Sequence, residues 1–278
     1  MDARRALVVL GCIALLGAAP LNIAHESAIE TERDLARNHL IEEIVPAVYT
    51  LKTNFKFRKQ GETTTYREAN SSGTAFGVTD DGLVMTAFHV VQAPVFNGFP
   101  NPSYAPPGKW SYTDGEEATG TYTLIAKDGT KYQGEIVALE PDADLAILSI
   151  AKTAPGKKFP FIVFERDPLT YRHDGVVSIG APFGIEFTVT SGIISNPTRV
   201  IGDRIFIQTD AMVHPGNSGG PLILLRNHRV VGVIDQIYSR ANFGIGIGFA
   251  IPASVAGKFL DETLARLEKE RKQPTPAQ

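Results

Sequence analysis

Pro215-Gly216-Asn217-Ser218-Gly219-Gly220-Pro221 is the stretch around which the sequence organises. It lies between two apolar runs, Arg204–Thr209 and Leu222–Leu225, and its glycines crowd a single hydroxyl. Glycine reaches backbone conformations that bulkier residues avoid. Such a turn can expose the Ser218 side chain while aiming backbone N–H groups at one point, as a nucleophile beside an oxyanion site requires. The bland alternative, a Gly-Asn hairpin turn, gives no reason for five specific residues around one serine.

A serine nucleophile needs a base. Of the 6 histidines, His25 and His39 fall in the leader and first helix, and His173 and His228 in polar loop contexts. His89 follows the apolar run Leu83–Phe88, so it stands at the end of a buried strand where a side chain can be held firmly. The base in turn needs a carboxylate to fix its tautomer. Asp144 directly precedes Leu145-Ala146-Ile147-Leu148, and an acid at the mouth of an apolar strand is costly unless paired. Asp142 is its nearest rival. The order His89, Asp144, Ser218, with gaps of 55 and 74 residues, is that of the two-barrel serine proteases and not of subtilisin-like or α/β-hydrolase enzymes.

The surroundings agree with an all-β frame. Short β-branched and aromatic runs split by Gly, Asn and Asp extend from Val48 to Pro252, among them Thr74–Val78, Leu83–Thr86, Tyr122–Ala126, Leu145–Ile150, Gly175–Ile179 and Val230–Ile237. Pro94–Gly120 has no period and reads as a long irregular insertion, either functional or an ornamental surface loop. Helices are expected over 26–45 and from 253 to 272, the latter with Val255, Phe259, Leu264 and Leu267 on one face. Residues 1–25 read as an export signal or a membrane anchor, because Arg4 and Arg5 precede an uncharged apolar stretch. The catalytic domain is assigned to 46–260, and 261–278 to the helix end and a disordered tail.

Composition narrows the classes. Among 278 residues, 43% are hydrophobic and 21% charged, enough for a sizeable core and against a largely disordered chain. A net charge of −3 excludes a general basic nucleic-acid binder. The 1 cysteine, Cys12, excludes an intrachain disulfide framework and a cysteine-ligated metal cluster. No metal or other cofactor is expected.

The chain resembles the trypsin-like protease domain of the HtrA (Deg) family over roughly 46–260. Five stretches carry the resemblance: Ser72–Val78; Thr86–Val91; Asp142–Leu148; Gly180-Ala181-Pro182-Phe183-Gly184 with Val189–Ser195; and Ile207–Asp210 through Gly219-Gly220-Pro221. Gly246–Pro252 closes the domain as the family does. The resemblance implies two six-stranded antiparallel β-barrels with the active site in the cleft between them. It implies peptide-bond hydrolysis through an acyl-enzyme, with His89 as base, Asp144 as its orienting acid and Ser218 as nucleophile. Gly216, Asn217 and Ser218 would form the oxyanion turn, the N–H groups of Gly216 and Ser218 holding the charge. Met212, six residues before the nucleophile, would form the base of the primary pocket, with Ile237 and Phe249 among its walls. No acid lies at Met212, so small or medium apolar residues are expected before the cut. Polypeptides are the implied partners, a homotrimer is compatible with the family, and the chain is expected outside the cytoplasm.

Three departures stand out. The family usually continues into PDZ domains, which are not expected here. His214 replaces a residue that is commonly Asn, close to the oxyanion turn. Asp235 stands where relatives usually carry a small hydroxyl residue near the catalytic acid, and a second carboxylate there would perturb the first. These departures keep alive a catalytically weak pseudoprotease acting as a chaperone-like or envelope binding protein. An adaptor using the 94–120 insertion, with Phe96, Phe99, Tyr104 and Trp110, is a third reading.

Overall fold

The computed structural model describes residues 41–59, 67–92, 110–112, 116–166, 172–181, 187–235 and 247–272. The described residues from Ile44 onward belong to one compact unit. Residues 41–44 are helical, and a 3-10 turn at Val45–Ala47 containing Pro46 leads into the first strand.

The first barrel is built from β1 (Val48–Lys59), β2 (Arg67–Gly77), β3 (Leu83–Ala87), β5 (Glu116–Ile125), β6 (Lys131–Glu140) and β7 (Leu145–Ser149). Its order is β1-β2-β3-β7-β6-β5, closed by antiparallel pairing of β1 with β5. A short strand β4 (Trp110–Tyr112) hangs on the outer edge of β5. The second barrel closes in the order β10-β13-β12-β11-β8-β9. Its strands are β8 (Gly175–Gly180), β9 (Thr188–Ile201), β10 (Arg204–Thr209), β11 (Pro221–Leu224), β12 (Val230–Asp235) and β13 (Gly248–Pro252). Two six-stranded antiparallel barrels are thus present, as the resemblance implied.

Each barrel has its own core. Leu51, Phe55, Val84, Leu124 and Leu148 fill the first, and Val176, Ile194, Ile207, Leu222, Leu224 and Ile234 the second. Truncating one of these side chains to Ala costs about 2–5 kcal/mol, because the cavity collapses only in part. The chain crosses between barrels through 151–166, which is stitched to both. Ile162 N–H donates to the Gly77 carbonyl at 2.9 Å, and Glu165 N–H to that of Val230 at 2.8 Å.

Helix α1 (Phe88–Val91) is one turn directly after β3, and α2 (Ala253–Lys272) follows β13. Helix α2 straps the barrels together. It packs on β12 and β13, while Arg266 donates to the Val137 carbonyl on β6 and Arg271 pairs with Asp81 beyond β2.

Two expectations need correction. The unpatterned stretch 94–120 is not irregular throughout: 110–112 and 116–120 are strand, because β5 extends backward along β1 with Lys59 opposite Glu116. Phe96, Phe99 and Tyr104 lie outside the described residues. The buried face of α2 is Ala253, Ala256, Gly257, Phe259, Leu260 and Thr263, whereas Val255 and Leu264 are exposed. Small residues let the helix approach the barrel closely, so packing selected them over the larger side chains.

Candidate active site

Strand register brings His89 and Asp144 together. β3 pairs with β7 so that Ala87 faces Leu145. His89, two residues beyond β3, and Asp144, one residue before β7, therefore emerge at the same sheet edge. Asp144 is buried and has φ +57°. Asp is one of the few residues that tolerates this left-handed conformation. The turn is tied at both sides, by Asp144 N–H to the Pro141 carbonyl at 3.1 Å and Phe88 N–H to the Asp144 carbonyl at 3.0 Å. Its carboxylate then contacts His89 twice. Oδ2 lies 2.7 Å from the ring Nδ1, and Oδ1 accepts the His89 backbone N–H at 2.9 Å. With Nδ1 occupied in this way, Nε2 is the nitrogen left to act, and it has no partner among the described residues.

Ser218 comes from the second barrel, on the turn between β10 and β11. Asn217 N–H donates to the His214 carbonyl at 3.0 Å, and Gly216 has φ +103°. Pro215 at the second position and a positive φ at the third are the signature of a type II turn. The next residues are tied to β12: Gly219 N–H donates to Ile234 O, and Ile234 N–H to Gly220 O, both at 2.8 Å. Gly220 N–H donates to Asn217 O at 2.9 Å. The N–H groups of Asn217, Gly219 and Gly220 are thus all satisfied within the fold. Those of Gly216 and Ser218 have no acceptor among the described residues. The Ser218 hydroxyl is likewise without a partner, so it and His89 Nε2 are not hydrogen-bonded to each other in this structure. Both residues line one cleft of about 410 Å³, with Ser71, Ser72, Val90, Pro215 and Gly216.

A residue that the sequence reading quoted without a role, Thr74 on β2, fastens the two halves. Its N–H donates to the Ser218 carbonyl at 2.9 Å, and its hydroxyl donates to the Gly216 carbonyl at 2.7 Å. That hydroxyl also accepts the Ala181 N–H at 3.0 Å, and the Thr74 carbonyl accepts from the Thr86 hydroxyl at 2.7 Å. The only signal available in sequence was a hydroxyl within an otherwise apolar run.

The remaining candidates fall in different places. Met212 is 54% exposed, so its side chain does not close a pocket base here. Its carbonyl accepts from the Thr190 hydroxyl at 3.0 Å. His214 is half-buried, its carbonyl closing the type II turn. Phe249 packs edge-on against Phe206, with ring centroids 6.2 Å apart. Ile237 lies outside the described residues. Asp235 is fully buried at the end of β12 and faces the His89–Asp144 pair: one ligand-capable atom from each of the three residues lies within 4.8 Å of the others. These groups are engaged with one another and with Arg204, 3.6 Å from Asp235. Burial acts to lower the His89 pKa, but the Asp144 hydrogen bond and the charges of Asp144 and Asp235 outweigh it, leaving the imidazole above its usual range.

Fold and site together define a two-barrel serine-peptidase domain. The profile of the trypsin-like peptidase domain matches residues 73–233. The chain is 36% identical over 197 residues to a probable periplasmic serine endoprotease DegP-like of Chlamydia trachomatis serovar D, covering 69% of this chain and 34% of the relative. It is 36% identical over 204 residues to a protein of the same description from Brucella suis biovar 1, covering 72% and 34%. It therefore spans about a third of the length of these curated relatives. Among solved structures, an HtrA-type protease AlgW with tripeptide superposes with TM-score 0.60 at 28% identity, over 81% of this chain and 62% of that one. The chain belongs to the trypsin-like peptidase family, and within it to the HtrA/Deg type.

Proposed function

We propose that this chain is a serine endopeptidase that hydrolyses polypeptides through an acyl-enzyme. His89 Nε2 takes the proton of the Ser218 hydroxyl as that oxygen attacks the scissile carbonyl. Asp144 holds the ring in the needed tautomer and balances the imidazolium that forms. The tetrahedral oxyanion is received by the Gly216 and Ser218 N–H groups, and His89 then protonates the leaving amine. One observation carries this reading: in the tied-down turn, the two amides expected to hold the oxyanion are the two without an acceptor among the described residues. Each such donor is worth about 3 kcal/mol in the transition state.

The substrates fitting this reading are unfolded or damaged proteins, cut after small or medium apolar residues. An extracytoplasmic, periplasmic location follows the description of the relatives, with residues 1–25 as export signal or anchor. The weak-protease alternative draws on the absence of a His89–Ser218 hydrogen bond in this structure. Catalytic hydrogen bonds often tighten only once substrate is bound, so the open contact does not count against the active reading.

A fluorophosphonate probe tests the proposal. Labelling at Ser218, with casein hydrolysis abolished in folded Ser218→Ala, is the expected result. No labelling of folded wild type at any pH from about 5 to 9 would favour the chaperone-like alternative.

A further inference from the structure

The site contains one buried charge pair that the mechanism above does not use. Asp235 belongs to β12 of the second barrel, yet its carboxylate reaches the His89–Asp144 pair of the first. Its side chain is completely buried, and the guanidinium of Arg204, at the start of β10, stands 3.6 Å from Oδ2. The same guanidinium donates to the Ala143 carbonyl at 2.9 Å, one residue before Asp144, and lies over the Phe206 ring at 4.8 Å. Arg204 therefore grips the turn whose left-handed residue presents the acid.

We propose, resting on the peptidase reading, that Asp235 and Arg204 form a positioning and charge-tuning pair for His89. Arg204 anchors the Asp144 turn from the opposite barrel, and Asp235 supplies a second buried counter-charge to the imidazolium. Among the described residues, the charged groups around the imidazole are Asp144, from the turn before β7, Asp235 from β12, and Arg204 from β10. With a neutral imidazole the four groups carry one net negative charge; with an imidazolium they carry none. The cluster thus favours the cation that forms when Ser218 attacks. It also retains a proton on resting His89 to higher pH, so the acid limb of activity is displaced upward. A neutral hydroxyl residue at 235 would give no such displacement.

NMR titration of the His89 ring in folded Ser218→Ala, with its signal assigned by loss in His89→Gln, reads the effect without needing hydrolysis. The expected midpoint lies above the ordinary imidazole value of about 6.5. Asp235→Asn and Asp235→Ser are each expected to lower it by about half to one pH unit. In the active background, the acid limb of kcat/KM should follow by the same amount. Arg204→Gln is expected to lower kcat about 5- to 20-fold with KM unchanged, an interaction lost in the transition state. A wild-type midpoint below 6.5, or an unmoved midpoint in a folded Asp235 variant, overturns the charge role. Unchanged kcat in Arg204→Gln overturns the anchoring role. A shifted His89 titration in a protein that hydrolyses nothing would leave this inference standing and sink the peptidase reading instead.

Discussion

Asp144 holds His89 with both carboxylate oxygens, one at the ring Nδ1 (2.7 Å) and one at the backbone N–H (2.9 Å). One contact sets the tautomer; the other sets where the residue stands. Asp144→Asn keeps the size but turns one acceptor into a donor: either the amide meets a ring or backbone N–H donor to donor, or it donates to Nδ1 and holds the ring in the tautomer whose Nε2 is already protonated and cannot act as base. The expected result is a fall in kcat of about 10³–10⁴-fold with little change in KM. Steady-state kinetics on protein of unchanged circular dichroism checks it, and a loss below about tenfold would remove Asp144 from the proposed triad.

Thr74→Val removes the donor to the Gly216 carbonyl and the acceptor of the Ala181 N–H without changing the side-chain shape. Two buried polar groups then lose a partner, at about 1–3 kcal/mol each. Urea unfolding is expected to record a loss of about 2–4 kcal/mol. The loosened oxyanion turn should lower kcat/KM about 10- to 100-fold. Thr74→Ser should restore most of both quantities; equal defects in the Ser and Val variants would show that the hydroxyl is not what matters.

Two glycines with positive φ should respond very differently to alanine. At Gly219 (φ +82°) a Cβ would meet the Thr86 hydroxyl, the Thr74 carbonyl and, at 2.6 Å, the Ala87 nitrogen. At Gly202 (φ +62°) it would meet nothing within 4 Å. Gly202→Ala should cost only the left-handed strain, about 1–2 kcal/mol. Gly219→Ala should exceed about 4 kcal/mol or fail to fold. Thermal melts of the pair settle the ranking, and similar melting temperatures would contradict the packing described.

Tyr49, buried against Tyr132, has its phenol pushed up to about 12, first by burial and then by the Tyr132 and Asp128 charges. The folded state therefore prefers the neutral phenol. That contribution is complete below pH 10, the unfolded value, and is lost as pH rises toward about 12. A phenol raised from 10.0 to about 12 corresponds to about 2–3 kcal/mol. In urea melts between these limits, wild type should lose about that amount of stability relative to Tyr49→Phe as pH rises. A constant difference across the range would place the Tyr49 titration at its ordinary value.

Much of this was legible because local pattern and tertiary demand coincide. Leu83–Ala87 and Leu145–Ser149 are apolar because they are interior strands, and the residues at their ends had to be paired acids and bases. The segment Glu116–Gly120 was missed because its strand is made by backbone pairing with β1, and its side chains do not alternate. The α2 face was misread because hydrophobicity points to Val255 and Leu264, while close approach selected Ala256 and Gly257. Arg204 gave no local signal at all: its partners, Ala143 and Asp235, stand 61 positions before it and on another strand.

The Thr74 hydroxyl meets Gly216 across 142 positions of chain. During synthesis, His89 and Asp144 leave the ribosome well before Ser218 exists, and β12, which ties down the nucleophile's turn, comes later still. Until that strand has emerged, the turn that carries Ser218 lacks its anchor on Ile234. A chain ending before β12 therefore holds the His89–Asp144 pair but lacks the strand whose Ile234 fastens Gly219 and Gly220 beside Ser218, so the last barrel strands decide whether the two halves of the site can face each other.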